Sequence, residues 1–588
     1  MKILGLCTMG NSSAALVEDG KVIFATEEER LTRVKNDGSF PIKSIQAALD
    51  FAGIKLKDID LICVYWERWN LLPRVSGVVK GVVNNPRTLG SKLNRIKTIF
   101  LQSNGNRAKE TQNQGSWKDL FFVNSILEKE FGDFYAKTVF LDHHSCHIAS
   151  AFEISGFDKS MILSYDGGGE GLSTLLGYQE GSTFTEILKE RWPNSLGHYY
   201  SSFTGFLGFQ MLEGEYKMMG LAPYGEPVYK DVILDKILRK EADGGYSLNT
   251  RILDYHQALE GQFSKELIRL LGNPRGKNDE FTKEHRNLAA SIQAAYEEIV
   301  NHMISYGLKK FPGVKNICVV GGCGLNVTAN GKIVDHLGFE KVFVPPAPHD
   351  AGCSVGAAIL GHKKFGKVQD EIVMETAYLG ESFSNEQIEK FLVENNYKVP
   401  EKFDEENLFK FVSEKISEGN VVAWFQGRSE FGPRALGNRS FLADPRNKNI
   451  QDLMNEKIKK RELFRPFAPS VKEECAADFF EIKQKSPFMN IVSNVREDKK
   501  SVIPAVTHID GTARVHTVSE KSNFRYWHLI DEFEKITGVG LLLNTSFNIQ
   551  EPIINTPAEA VRAFVRSGVD YLVLNDYVFD VAWKEAHR

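Results

Sequence analysis

With 588 residues the chain exceeds what one hydrophobic core supports, and a usual domain size of roughly 100–200 residues predicts several units paired into two bodies. A composition of 42% hydrophobic and 25% charged residues excludes disordered and fibrous classes. The formal charge of −4 gives no bulk pull toward nucleic acid, and seven scattered cysteines without a CxxC pair predict a reducing, cytoplasmic setting with no disulfide framework and no cysteine-rich zinc site.

The opening MKILGLCTMG breaks its apolar run at Gly10 and predicts no signal peptide; the long uncharged stretch at residues 195–212 is too polar for a membrane span. The first 30 residues read as strand (ILGLC), Gly/Ser turn (GNSS), strand (AALVE), Asp19-Gly20 hairpin and strand (KVIFATEE). From Met161 the pattern recurs as MILSYD, a GGGEG turn, LSTLLGYQ, an EGS tip and TFTEILKE. Two such units predict a duplicated α/β body whose glycine loops face each other across a cleft, where backbone N–H groups can hold phosphates. Between them, residues 68–118 carry ten Lys/Arg against one acid, Glu110: a solvated surface, or an insertion suited to an anionic or polyhydroxylated partner. A long helix is predicted over 287–311, then a strand entering a glycine turn (NICVVGGCGLN), a strand ending in a Pro-rich loop (VFVPPAPHDAG) and a helix (CSVGAAILGH). The polar segment 362–380 marks a boundary, giving domains 1–365 and 366–588. In the second, helices (NEQIEKFLVEN, NLFKFVSEKISEG) alternate with strands (VVAWFQ, VGLLLNT, YLVLN, YVFDVAW), a further α/β body.

His143 and His147 in DHHSCH are four apart, so on a helix both imidazoles reach one ion, unless they form a cap or a satisfied core pair. An added carboxylate would complete a two-His-one-carboxylate site for Fe(II), Mn or Zn, and Asp350 and Asp166 are the best-placed donors. Gly167 and Gly168, and Gly322 ahead of Asn326, follow strands and allow close approach of an anion such as a nucleotide phosphate. The C-terminal body carries Arg428, Arg434, Arg439 and Arg446, then Lys457, Lys459, Arg461 and Arg465, with Arg514 and the loop holding Asn544, Ser546 and Asn548. These suit phosphate and carboxylate-like groups, against the plainer reading of ion pairs with Glu430, Asp444 and Glu462. No GxxxxGK[ST], kinase glycine loop or nucleophile elbow occurs.

SSAALVEDG, EEERLTRVKND, HHSCH, SYDGGGEG, EGEYKMMGLAPYGEP and GGCGLN, followed by FGPRALGNRSFLADPR, IKKRELFRPFAP, GTARVHTV and LLLNTSFN, resemble the NodU/CmcH carbamoyltransferase family over nearly the whole chain. The resemblance implies an N-terminal duplicated actin-like ATPase-type domain and a C-terminal YrdC-like domain. It implies that carbamoyl phosphate and ATP, with Mg²⁺, form carbamoyl adenylate in the second domain. The first domain then passes the carbamoyl group to a hydroxyl of a small natural product or sugar. Carried onto this chain, His143, His147, Asp350 and Asp166 would hold Fe(II) or another divalent ion, and Arg434, Lys459, Arg514, Asn544 and Ser546 would hold carbamoyl phosphate and ATP, without nucleic acid or membrane and with room for a homodimer. Many members carry a His-Asp pair in the first glycine turn; here Gly10 stands where the His would fall, so His144, His198 or His349 would replace it, or the acceptor differs, or transfer is weak. Tyr199, Tyr200, Tyr216 and Tyr224 line the acceptor pocket or belong to the core. The alternatives are a tRNA-modifying carbamoyl or threonylcarbamoyl transferase, which the −4 charge disfavours, and a non-enzymatic actin-like ATP switch, which the histidine pair and arginine cluster disfavour.

Overall fold

Asp19 and Gly20 take left-handed φ angles of 47° and 82°, the geometry a two-residue hairpin requires, and they turn β2 (Ser13–Glu18) into β3 (Lys21–Glu27). The computed structural model describes residues 1–68, 70, 79, 82–83, 86–94, 117–366 and 372–587. Two compact units emerge: Met1–Glu28 with Asn36–Met374, and Glu29–Lys35 with Glu375–Arg588. Most of the predicted basic excursion at 68–118 lies outside the described residues.

In the first unit β1 (Lys2–Cys7) pairs antiparallel with β2 and parallel with β4 (Leu61–Val64), and β5 (Lys137–Phe140) completes a sheet of order β3-β2-β1-β4-β5. The second sheet runs β8 (Thr183–Arg191), β7 (Leu172–Glu180), β6 (Lys159–Gly169), β11 (Asn316–Val320), β12 (Lys341–Phe343). Antiparallel and parallel neighbours fall in the same places in both, with β6 between β7 and β11 as β1 is between β2 and β4. This is the duplicated actin-like frame expected from the two strand–turn–strand–hairpin repeats. The expected GGGEG turn differs: the glycines continue β6 as an extended, bulged strand to Gly169 before the turn to β7. A short hairpin, β9 (Leu238–Lys240) and β10 (Tyr246–Leu248), stands apart.

Helix α1 (His143–Ser155) follows β5, and α4 (Gly352–Phe365) follows β12; between them come α2 (Leu196–Phe206) and the 28-residue α3 (Lys283–Lys310). The backbones of α1 and α4 touch. A Cβ at Gly356 would stand 1.9 Å from the Cys146 carbonyl oxygen, and one at Gly5 of β1 would stand 1.9 Å from that of Ser354. No side-chain rotation relieves either clash. Gly356→Ala is therefore expected to cost at least about 1–3 kcal/mol, read as a lower midpoint in urea unfolding.

The second unit is built on one nine-stranded mixed sheet, β13 (Glu401–Lys402), β21 (Tyr577–Phe579), β20 (Tyr571–Leu574), β14 (Val422–Phe425), β15 (Arg439–Ala443), β19 (Leu541–Ser546), β16 (Ala468–Lys472), β18 (Thr512–Val518), β17 (Ile491–Asn494). Trp424, Phe425, Phe441 and Leu542 sit in its core, packed with residues of helices Glu405–Ser417 and Phe524–Thr537. The expected strand YVFDVAW stops at Phe579, because the Asp580 carboxylate accepts the Trp583 N–H and caps a helix over Val581–Ala586. Among the described residues no helix is long and apolar enough to cross a membrane.

Candidate metal centre and anion pocket

Asp142 caps α1 by accepting the Ser145 N–H at 2.7 Å, which fixes the first turn and sets His143 and His147 edge to face with ring centroids 4.6 Å apart. From β6, Asp166 brings Oδ2 to 2.8 Å from His143 Nε2 and 3.4 Å from His147 Nε2; from the turn after β12, Asp350 brings Oδ1 to 3.6 Å from His147 Nε2. One ligand atom from each of the four lies within 4.8 Å of all the others. His147 Nε2 and Asp166 Oδ1 are shut off from solvent without a hydrogen-bond partner, a bonding deficit that a cation would fill. Two imidazoles and two carboxylates are a donor set for a divalent first-row ion, so the residues fit the expected metal. Burial opposes charge on His147, yet Asp166 and Asp350 outweigh it and raise its pKa to about 9, while Asp166, buried too, falls well below the carboxylate range beside the two histidines. Cys353 also reaches both histidines, and burial and Asp350 push its thiol far up.

The glycines are explained by this centre. A Cβ on Gly169 would stand 1.9 Å from His143 Cδ2, and one on Gly10, at φ 74°, would stand 2.6 Å from Asp350 Oδ2. Gly168 needs its φ of 138° to carry the bulge, and the nearest atom to a Cβ at Gly322 would be Asp166 Cβ, at 3.9 Å, so both glycine segments converge on Asp166. Gly167 lies against the His198 ring edge, 3.4 Å from a Cβ there. Asn326 caps the helix Val327–His336 through the Ala329 N–H and exchanges amide hydrogen bonds with Gln293.

Sequence reasoning missed Glu170. At φ 51° it is a non-glycine residue held left-handed, and its carboxylate accepts the N–H groups of Glu67 (2.8 Å) and His143 (3.3 Å) and the Asn70 amide (2.8 Å), tying the head of α1 to the end of β4. Burial lifts its pKa to about 7. The available signal was an acid directly after three glycines.

The remaining histidines are sorted by their partners. His144 turns away from the centre to Ser164 Oγ (2.8 Å), and burial lowers its pKa to about 4. His198 accepts the indole hydrogen of Trp192 on Nδ1 (3.2 Å) and stacks on Tyr255 at 3.7 Å. His349 Nε2 lies 3.3 Å from Glu27 Oε1. Tyr199 and Tyr200 are core: their hydroxyls donate to Ile292 O and Gln293 Oε1. Tyr224 is exposed and Tyr216 half-buried.

In the second unit a cationic pocket forms at one end of β18 and β19. Lys459 is 1% exposed, and its ammonium donates to the Ser546 carbonyl, to Asn548 O (2.9 Å) and to Asn548 Oδ1 (2.8 Å), with Ser546 Oγ at 3.3 Å: neutral oxygens without a carboxylate. Burial first, then Arg461 and Arg465, draw its pKa well below the usual lysine range. Arg514 is half-buried; burial and the charges of Arg434, Arg461 and Arg465 hold its pKa far down. Arg434 is lowered to about 10 by burial. Asn544 underlies the pocket, its amide donating to Ala435 O (3.0 Å) and Ser470 Oγ (2.9 Å).

The broader arginine set is corrected. Arg439, wholly buried over the Phe425 ring, donates to backbone carbonyls including those of Gln426, Gly427 and Asn438 and braces the sheet. Arg428 donates to the Gly380 and Leu379 carbonyls. Arg446 forms a fork with Asp444, and Arg465 lies 3.8 Å from Glu462, two of the ion pairs of the plainer reading. Glu430 does not join an ion pair of the pocket but accepts the N–H groups of Leu436, Asn438 and Arg439.

Comparison with known proteins places the chain. Residues 2–359 match the family model for the carbamoyltransferase N-terminus and residues 413–580 that for the carbamoyltransferase C-terminus. The nodulation protein NolNO of Sinorhizobium fredii is 38% identical, across 97% of this chain and 79% of its own. The nodulation protein NolO of Bradyrhizobium diazoefficiens is 39% identical, across 74% and 78%. Among solved structures, full-length HypF in its phosphate- and nucleotide-bound form is similar at 14% identity and a TM-score of 0.31, covering 63% of this chain and 47% of that one.

Proposed function

Because the chain belongs to the carbamoyltransferase family, we propose that it joins carbamoyl phosphate and ATP into carbamoyl adenylate in its second unit and transfers the carbamoyl group to a small hydroxyl acceptor in its first. The observation that supports the first step is the pocket around Arg514, where half-buried arginines gather near the buried Lys459, whose ammonium is held by neutral oxygens. Such a concentration of like charge favours the entry of polyanions.

In this reading carbamoyl phosphate loses inorganic phosphate to water. A carbamate oxygen then attacks the α-phosphorus of ATP, present as its Mg²⁺ complex, and pyrophosphate leaves. Arg434, Arg514 and Lys459 bind the phosphate oxygens and take up the charge that accumulates as the leaving group departs. The Ser546–Asn548 loop aims the ammonium by holding it from behind. In the first unit His143, His147, Asp166 and Asp350 would hold a divalent ion, Fe(II) by family resemblance, which supplies Lewis acidity toward the adenylate. Glu170 fixes the head of α1 and with it His143. The acceptor's oxygen attacks the carbamoyl carbon and AMP leaves.

Two measurements test the halves separately. Inorganic pyrophosphate without any co-substrate should raise the melting temperature, because it relieves the repulsion among Arg434, Lys459, Arg461, Arg465 and Arg514. At a hundred times its Kd the gain is about 2.7 kcal/mol, and Arg514→Ala should remove most of it; an unshifted melt would count against the pocket. Purified protein titrated with Fe(II) or Co(II) should bind one ion per chain and His147→Ala far less, whereas undiminished binding by that variant would move the metal elsewhere.

A further inference from the structure

We propose that Arg33 is a positioning residue for adenylate formation: its guanidinium holds the loop that aims the Lys459 ammonium at the substrate phosphates. This rests on the first step proposed above. The stretch Glu29–Lys35 belongs to the second unit, although the rest of that unit begins at Glu375. Arg33 lies within this strap. Its Nη1 donates to Ile553 O (2.8 Å) and its Nη2 to Pro552 O (2.6 Å), with Glu559 Oε2 3.4 Å from Nη1. Lys35 Nζ reaches Gln550 O at 3.4 Å, so the strap follows the backbone of residues 550–553.

The loop Asn548–Ile553 has no helix or strand of its own. It is closed at its base by the Ile554 N–H, which donates to Phe547 O (3.0 Å). Inside it Asn548 Nδ2 donates to Glu551 O (2.6 Å). A carbonyl only accepts, so this contact turns the amide and leaves Asn548 Oδ1 facing Lys459, 2.8 Å from its ammonium. The Asn548 carbonyl is a second acceptor at 2.9 Å. The ammonium's other partners are the carbonyl and hydroxyl of Ser546, so no carboxylate bonds it if the loop shifts. Arg33 thus fixes the peptide groups directly after Glu551, Glu551 orients Asn548, and Asn548 aims Lys459.

The backbone of Arg33 argues that its side chain is needed there. Residue 33 follows the one-turn helix Glu28–Thr32, its N–H donating to Glu29 O (3.0 Å), and its φ is 63°. Glycine takes this helix-ending left-handed conformation without strain. An arginine in its place is held by what its side chain contacts. Arg30, in the same strap, donates to Gly432 O (2.6 Å), two residues before Arg434, and so ties the strap to a second loop that carries a pocket cation.

The test compares the full chain with Arg33→Gly, which keeps the helix ending and removes only the side chain. With ATP, carbamoyl phosphate and Mg²⁺, kcat for pyrophosphate release should fall about tenfold or more. KM for ATP should stay within about threefold of wild type, because Arg434, Arg461, Arg465 and Arg514 still bind phosphates before the reaction. Asn548→Ala already lacks the amide through which Arg33 acts, so adding Arg33→Gly to it should lower kcat by less than about threefold. A wild-type kcat in Arg33→Gly, a raised KM with unchanged kcat, or losses that multiply in the double variant would overturn the inference, as would an Arg33→Gly chain without a cooperative melt. Hydrogen exchange at the amides of residues 549–551 should quicken in Arg33→Gly with no substrate present. Unchanged exchange there would overturn the inference even if wild type released no pyrophosphate, a result that by itself would sink only the adenylate reading.

Discussion

Given ATP, carbamoyl phosphate and Mg²⁺ but no alcohol, the Arg514→Ala variant is expected to release pyrophosphate at no more than about a hundredth of the wild-type rate. Arg514 projects from β18 toward the charges of Arg434, Arg461 and Arg465, and removing it leaves the pyrophosphate to separate against a weaker field. The same geometry predicts what happens to stability. Arg514 is depressed by burial and by like charges, so in the empty protein it is a cost rather than a support. Its removal should leave the melting temperature unchanged or raised, which separates lost chemistry from lost folding. Lys459→Ala should abolish release as completely, but for a mixed reason, because the Ser546 and Asn548 oxygens that hold the ammonium lose their donor. Arg514→Ala is therefore the cleaner experiment, and a variant that melts like wild type while releasing pyrophosphate at the wild-type rate would move the phosphate site elsewhere.

Much of the frame was legible because it is local. The Asp19-Gly20 turn, the repeated strand–glycine–strand pattern and the helical spacing of His143 and His147 are short-range signals, and each sits where its period predicted. The meeting of Asp166 and Asp350 on His147 was legible only as a pair of strand ends, since the distance between them in space is set by how β6 and β12 take their places in one sheet. The arginine cluster was the least legible part. Sequence shows a run of cations, and only packing separates Arg439, spent on backbone carbonyls, and Arg446, spent on Asp444, from Arg434 and Arg514 in the pocket. Glu170 and Glu27 were hidden for a related reason. Their carboxylates act on the backbone of residue 143 and the ring of residue 349, and no spacing in the chain encodes those contacts.

For the first unit, His147→Ala should form pyrophosphate at the wild-type rate while transfer, followed as AMP released per pyrophosphate, drops by about a hundredfold or more. The reason is that His147 lies at the centre of the ligand set. Its Nε2 faces both Asp166 and Asp350 and has no hydrogen-bond partner within the protein, so its removal takes away a ligand without disturbing a structural contact at that nitrogen. His143 is a poorer choice, since its Nε2 is already engaged by Asp166 and its ring rests against Gly169, where any change also shifts the bulge of β6. None of these residues belongs to the unit that carries Lys459 and Arg514. A two-step enzyme with its steps in different units must therefore let the second fail alone. Equal loss of pyrophosphate and of transfer in His147→Ala would mean that the ligand set takes part in making the adenylate as well as in spending it, and the assignment of one step to each unit would fall.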